Sequence, residues 1–308
     1  MELDGGITLY KLKVFSAVVQ LGSVTKAAER LNVAQPAVTS HIRQLEEKFG
    51  MALFQRQGRS LVLTDGGERV YRWAQDLRIR SEELEQEIDR LKKGFAGTVN
   101  LVATMAIGSY RLADVTVNFQ KRNPHARIVT NITNPVLATE MIRNGTSDFG
   151  VVLLDPQQRY DELVIEILWR EPLFLVAKRN SRHLKPGLTL DRIKDVPFAT
   201  PPIGLVTRAM EDELLRTTGV TRRNVVAEFG HPEGMKRMIM ADAAICFLMG
   251  STVQAEIERG DLVRINIQEF RGFFLPIYLV YRRNKVLNTL EKSLMTEIRQ
   301  GISDDILL

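Results

Sequence analysis

Apolar residues recur at Val38, Ile42, Leu45 and Phe49, the spacing of a helix with one buried face. That helix opens at Gln35-Pro36, where proline costs little because first-turn N–H groups have no helical partner. Just upstream, Ala27, Ala28 and Leu31 mark a shorter helix from Val24 to about Arg30, with Ser23 as its N-cap. Leu31-Asn32-Val33 reads as the turn, since Asn32 tolerates the left-handed conformation usually given to glycine. Leu9, Leu12, Phe15 and Val19 predict a preceding helix that closes the same small core. Downstream, Leu53-Phe54 and Leu61-Val62-Leu63 read as the arms of a β-hairpin with Gln55-Arg56-Gln57-Gly58-Arg59 as its turn. Two helices joined tightly and followed by a basic hairpin make a winged helix-turn-helix, a shape that fits the major groove of DNA.

The polar positions agree with that shape. Gln35, Thr39, Ser40 and Arg43 point away from the apolar face of the second helix. Short hydrogen-bonding groups with one Arg suit base edges and phosphates. Ser23, Thr25 and Pro36 join them as candidate DNA contacts, and Arg56 and Arg59 suit phosphates or the minor groove. His41 is expected on the solvated flank.

From Asp65 to about Lys93 the chain is charged and helix-favouring. Val70, Leu77, Leu84 and Leu91 fall seven apart, with Ala74, Ser81 and Ile88 in the complementary register. A single helix lying on its own domain would explain part of this pattern. The length and strict period favour pairing with a second copy, with Val70, Leu77, Leu84, Ile88 and Leu91 as the dimer seam. Gly94-Phe95-Ala96-Gly97 then breaks the helix and is expected to act as a hinge.

Beyond Gly97 strands and helices alternate. Strands are expected at 99–103, 127–132 and 149–153, with helices at 110–121 and 136–143. A second series places strands at 173–177, 198–199, 225–229 and 244–248, with helices at 189–194, 207–217 and 235–240. A strand at 274–281 and a helix at 287–301 end the pattern. Such an order implies parallel sheets with right-handed crossovers. Two α/β lobes joined by crossing strands make a cleft, and open parallel sheets bind ligands at their carboxyl edges. The loops leaving the strands there carry Thr104, Met105, Thr133, Asn134, Thr200, Pro201, Ile203 and His231. This mixed apolar and hydroxyl set fits a small organic acid better than a highly charged metabolite.

Composition narrows the function by exclusion. The chain has 308 residues and a net charge of +5, with 44% hydrophobic residues. The charge is spread: residues 1–64 hold eight basic against five acidic groups, and 65–96 hold seven against eight. Charge alone therefore does not indicate nucleic-acid binding. No apolar run approaches the roughly 20 residues of a membrane span, and the acidic opening without an apolar core is unlike a secretory signal, so a cytoplasmic protein is expected. One Cys, Cys246, and four His leave no intrachain disulfide, no two-cysteine switch and no multi-Cys metal site. There is no phosphate-binding glycine loop and no Gly-x-Ser-x-Gly elbow. Neither catalysis, a metal nor a cofactor is expected.

The N-terminal segment resembles the DNA-binding domain of the LysR-type transcriptional regulators. The resemblance rests on Phe15, Gly22-Ser23, Ala27-Ala28, Leu31, Gln35-Pro36-Ala37-Val38, Ile42, Leu45-Glu46, Gly50, Leu53-Phe54, Arg56, Arg59 and Leu63-Thr64. It departs from the family at Ala34, where Ser or Thr usually caps the helix, a change that costs about 1 kcal/mol, and at His41. The resemblance implies a mixed fold in three parts: an all-α winged helix-turn-helix over 1–64, a long linker and dimerisation helix over 65–94, and an α/β effector domain over 95–308. That last part would resemble periplasmic solute-binding proteins, with lobe I at about 97–163 plus 268–308 and lobe II at about 164–267. It also implies effector contacts at the positions of Thr104, Met105, Thr133 and Thr200. The expected partners are double-stranded DNA with an imperfect palindrome, a small organic effector and further copies of the chain as homodimer or homotetramer, with RNA polymerase as a further candidate. The rival reading is a solute-binding or enzymatic α/β protein with a non-regulatory DNA-binding head. A DNA-compacting protein without sequence preference is a third.

Overall fold

The computed structural model describes residues 6–57, 60–93, 97–184, 189–270 and 273–303. The chain divides into two compact units, Met1–Gly94 and Phe95–Leu308. Among the described residues, no helix is long and apolar enough to cross a membrane.

The first unit contains α1 (Leu9–Leu21), α2 (Val24–Leu31), α3 (Gln35–Phe49), the hairpin β1 (Phe54–Gln57) and β2 (Ser60–Leu63), and α4 (Asp65–Lys93). Ser23 Oγ accepts from Lys26 N at the start of α2, and Asn32 ends that helix at φ 53°. Ala34 offers α3 no side-chain cap. Gly50 ends α3 at φ 67°, where a side chain would be strained. The apolar positions split between two clusters. Val14, Val18, Ala27, Ala28, Val38 and Ile42 pack together. Leu12, Phe15, Leu45, Leu53, Val70 and Ala74 form the other.

Several local expectations need correction. Leu9 is exposed, and Val14, Ala17 and Val18 bury the inner side of α1 instead. Gln55-Arg56-Gln57 belong to strand β1 rather than to the turn, because the hairpin ladder continues to Gln57↔Ser60. His41 is not on a solvated flank: it is half-buried, with its ring edge-on to Tyr10 at 5.5 Å.

Thr64 starts α4, its Oγ1 accepting from Gly67 N at 2.9 Å. Gly67 allows the chain to pass Leu53 closely; a Cβ there would lie 2.0 Å from the Leu53 carbonyl oxygen. The proposed seam does not behave as one stripe. Val70 is 8% exposed and packed in its own unit's core, so it is not free to meet a second copy. Leu77 is half-buried on the same cluster. Leu84 and Ile88 are exposed. Leu91 falls within the helix, and Gly94-Phe95-Ala96 of the expected hinge lie outside the described residues.

The second unit opens with β3 (Thr98–Thr104), α5 (Met105–Tyr110), α6 (Leu112–Arg122), β4 (Arg127–Thr133), α7 (Pro135–Arg143) and β5 (Phe149–Val152). It continues with β6 (Leu163–Lys178), α8 (Leu190–Ile193), β7 (Pro197–Thr200), α9 (Val206–Thr217), β8 (Asn224–Glu228) and α10 (Pro232–Met240). β9 (Cys246–Met249), α11 (Gly250–Glu258), β10 (Leu262–Arg264), β11 (Phe274–Arg282) and α12 (Thr289–Ser303) complete it. β3 pairs in parallel with β4 and β5, and β11 runs antiparallel to β5 and β6. β6 has 16 residues and serves both lobes. Its first part pairs with β11, and its last part pairs with β9 and β10. β7 and β8 form a small parallel pair, linked toward β9 by the bridge Phe198↔Ile245. Strand ends and helix starts from both lobes therefore meet along one cleft.

Candidate functional site

The exposed side of α3 is set by its buried side. With Val38, Ile42 and Leu45 facing inward, Gln35, Pro36, Thr39, Ser40 and Arg43 are all exposed. Thr25 and Arg56 are exposed as well. The groups are held by weak local contacts. Thr39 Oγ1 donates to Gln35 O at 3.2 Å, and Gln44 Nε2 donates to Ser40 Oγ at 3.2 Å. Arg43 Nε meets Glu47 Oε1 at 2.9 Å, with both side chains largely in solvent. Such a pair is worth little, so Arg43 can exchange Glu47 for a phosphate or base at small cost. Ser23 differs: its oxygen is committed to capping α2. Arg59 lies outside the described residues.

Between the lobes of the second unit lies a cavity of about 390 Å³, a size suited to small molecules. Thr104, Met105, Thr133, Asn134, Pro201 and Ile203 line it. The strand register brings the first of these together, because Thr104 and Thr133 are partners at the ends of β3 and β4. Thr104 Oγ1 accepts from Leu153 N at 3.3 Å, and Asn134 Oδ1 caps α7 by accepting from Leu137 N at 3.0 Å.

Two expected residues do not line the cavity. Thr200 is fully buried, and its hydroxyl accepts from Arg208 Nη1 at 2.9 Å. Its place is in a polar cluster in which Arg208 also binds Asp212 and Glu228. His231 is exposed, and its Nδ1 caps α10 by accepting from Glu233 N.

The sequence reading missed much of the wall: Leu153, Leu173, Glu211, Phe229, Met235, Phe247, Thr252 and Leu275. The apolar members looked like ordinary core residues. Glu211 carried a faint signal as an acid on the inner side of an amphipathic helix. It is 3% exposed and sits 2.7 Å from Arg223. Burial raises its carboxyl to about 7, with the Arg223 guanidinium pulling the other way. Across the cleft, the Tyr110 hydroxyl on α5 donates to Glu233 on α10. Lys236 Nζ lies 2.7 Å from Glu233 Oε1 and 5.0 Å from the Tyr110 ring centre. Burial, followed by the Glu233 contact, raises the Tyr110 hydroxyl to about 12, so it stays a donor at neutral pH.

Comparison with known proteins places both units. Residues 9–68 match the model for bacterial regulatory helix-turn-helix proteins of the lysR family, and residues 92–303 match that for the LysR substrate binding domain. A RuBisCO operon transcriptional regulator of Acidithiobacillus ferrooxidans is 29% identical over 304 residues, covering 96% of this chain and 95% of the relative. The RuBisCO operon transcriptional regulator of Allochromatium vinosum is 27% identical over 285 residues, 92% of each chain. Full-length CbnR, solved in complex with its target DNA, shares the fold with a TM-score of 0.59 at 22% identity, covering 96% of this chain and 100% of CbnR.

Proposed function

Because this chain belongs to the LysR family of DNA-binding transcriptional regulators, we propose that it reads an imperfect palindrome through α3 and β1 and answers to a small organic molecule held between the lobes of its second unit. It acts as a regulator in the cytoplasm, not as a catalyst. Gln35, Pro36, Thr39, Ser40 and Arg43 face the major groove; Thr25, Arg56 and Arg59 touch the flanking backbone or minor groove. Thr104, Met105, Thr133, Asn134, Pro201 and Ile203 contact the effector. Copies pair through the exposed part of α4, including Leu84 and Ile88, and pairs associate into a tetramer. Symmetric reading heads then engage symmetric half-sites, and the bound complex is presented to RNA polymerase.

The observation that carries this reading is the row of exposed hydrogen-bonding side chains on α3, directly opposite Val38, Ile42 and Leu45. Footprinting of the purified protein on the DNA flanking its own gene, against scrambled competitor, tests it. One protected region with an imperfect palindrome is expected. Uniform protection, or none, would remove the specific-reader assignment and return the cavity to testing as a receptor or catalytic site.

A further inference from the structure

The second inference rests on the reading of the cavity as the effector site and narrows the chemistry of the effector. Among the described residues of the wall, Glu211 is the only ionisable side chain, and none is Lys, Arg or His. Most of the surface is apolar, with Leu153, Leu173, Phe247 and Leu275 among its members. An anion entering here would leave water for a largely apolar wall with no cationic group, which is unfavourable at low dielectric.

Helix N-termini are the other source of positive potential around a cleft. Of those of eight residues or more that open on this cavity, three already give a first-turn N–H to a side chain of the protein. α7 and α10 begin with Pro135 and Pro232, which have no N–H. The Leu137 N–H goes to Asn134 Oδ1 and the Glu233 N–H to His231 Nδ1. In α11 the Ser251 N–H is bound by the Glu171 carboxylate at 2.8 Å. α9 is the exception, since it has no side-chain cap; the Arg208 side chain in its first turn is engaged by Asp212, Glu228 and Thr200.

Among the described residues of the wall, one buried hydroxyl is unspent. Thr252, in the first turn of α11, is 2% exposed, and its Oγ1 has no hydrogen-bond partner. Buried hydroxyls are normally partnered. An orphan hydroxyl on a residue of the wall is a group that a ligand can complete once a χ1 rotation brings it to the cavity surface. Thr104 differs in this respect, since its oxygen already accepts from Leu153 N.

We propose that the cavity takes an uncharged, largely apolar molecule carrying one hydrogen-bonding group, and that Thr252 is the specificity-determining residue that reads that group. The apolar body packs on Leu153, Leu173, Phe247 and Leu275, and a wall without a cationic side chain disfavours acids of the same shape.

Calorimetric titration of the full-length protein with matched alcohol and acid probes tests this. The pairs are 1-naphthol with 1-naphthoate, indole-3-ethanol with indole-3-acetate, and 1-octanol with octanoate. In at least one pair the alcohol is expected to bind about tenfold or more tightly than its acid. Thr252→Val keeps the shape and removes the hydroxyl; it is expected to weaken that alcohol by about five- to tenfold while leaving the parent hydrocarbon unchanged. Thermal melts establish that the variant folds. The proposal is overturned if an acid is preferred in any pair, if no alcohol binds, or if Thr252→Val leaves the alcohol's affinity unchanged. Operator footprinting and a cavity-filling Met235→Trp variant keep this separate from the regulatory reading. An acid that binds and is lost in Met235→Trp, with operator protection intact, overturns the ligand class alone. Ligand binding untouched by Met235→Trp overturns the cavity as the effector site.

Discussion

Glu211 and Arg223 are both about 4% or less exposed on their side chains, at 2.7 Å from one another. Burial raises the Glu211 carboxyl from 4.5 to about 7, so the folded chain holds that proton more tightly than the unfolded chain. The resulting stabilisation is fully present below about pH 4.5 and is lost as pH rises through about 7. Glu211→Gln cannot titrate. Relative to it, the wild type should lose up to about 3 kcal/mol between pH 4.5 and pH 8. Urea melts of both proteins at the two pH values measure this, and a constant gap would show that folding does not raise the Glu211 carboxyl. Ala34 offers a gain instead. Its backbone is already extended, at φ −68° and ψ 140°, and α3 has no side-chain cap. Ala34→Ser should stabilise the first unit by about 0.5–1 kcal/mol, seen as a higher melting temperature. An unchanged or lower value would mean that a serine hydroxyl does not reach the first-turn N–H groups.

At the scale of the element, α4 is one helix with two environments. Val70 and Ala74 are buried against Leu12, Phe15, Leu45 and Leu53, whereas Leu84 and Ile88 stand exposed. A heptad count cannot see this division, because the same spacing serves an intrachain core and an interchain seam. The two halves should therefore answer differently to substitution. Leu84→Glu with Ile88→Glu should convert the assembly to monomers at micromolar concentration in sedimentation velocity, with the melting temperature of the first unit nearly unchanged. Val70→Ala should do the reverse, costing about 1–2 kcal/mol of stability without dissociating the assembly. Dissociation by Val70→Ala alone would reverse the division of labour. The same contrast governs how much was legible. Ser23 and Asn32 announced α2 because caps are local chemistry, and Gln35-Pro36 announced α3. β6 showed only its last part in sequence, because its earlier residues gain their strand partners from β11, about a hundred residues downstream. Thr104, Thr133 and Asn134 could be found as cavity-lining residues because strand ends are visible. Phe247, Leu275 and Thr252 could not, since only the fold decides which buried side chains border a void. Thr200 and His231 misled for a related reason: at a strand end or helix start, a polar side chain serves its own loop as readily as a ligand.

For the whole molecule, what must be explained is how a cavity in residues 95–308 influences a reading helix in residues 35–49. Whatever the mechanical route, thermodynamics restricts it. A ligand shifts the protein between states only by the difference in its affinity for them, so a tight ligand with equal affinity for both would leave the operator unaffected. The coupling is also reciprocal: if the effector changes operator affinity by some factor, saturating operator must change effector affinity by the same factor. Coupling energies of about 1–3 kcal/mol, or roughly 5- to 150-fold, are usual. The prediction is a closed cycle. The affinity of the full-length protein for its footprinted operator, with and without ligand, and its affinity for the ligand, with and without operator, should give one factor. Thr252→Val should weaken ligand binding to the free protein and to the operator complex alike, leaving that factor intact, if its hydroxyl reads the ligand equally in both states. If the factor collapses, Thr252 discriminates between the states, and the contact that recognises the molecule also carries the regulatory signal. Failure of the cycle to close would mean that a third equilibrium, such as a change in subunit association, is linked to both sites.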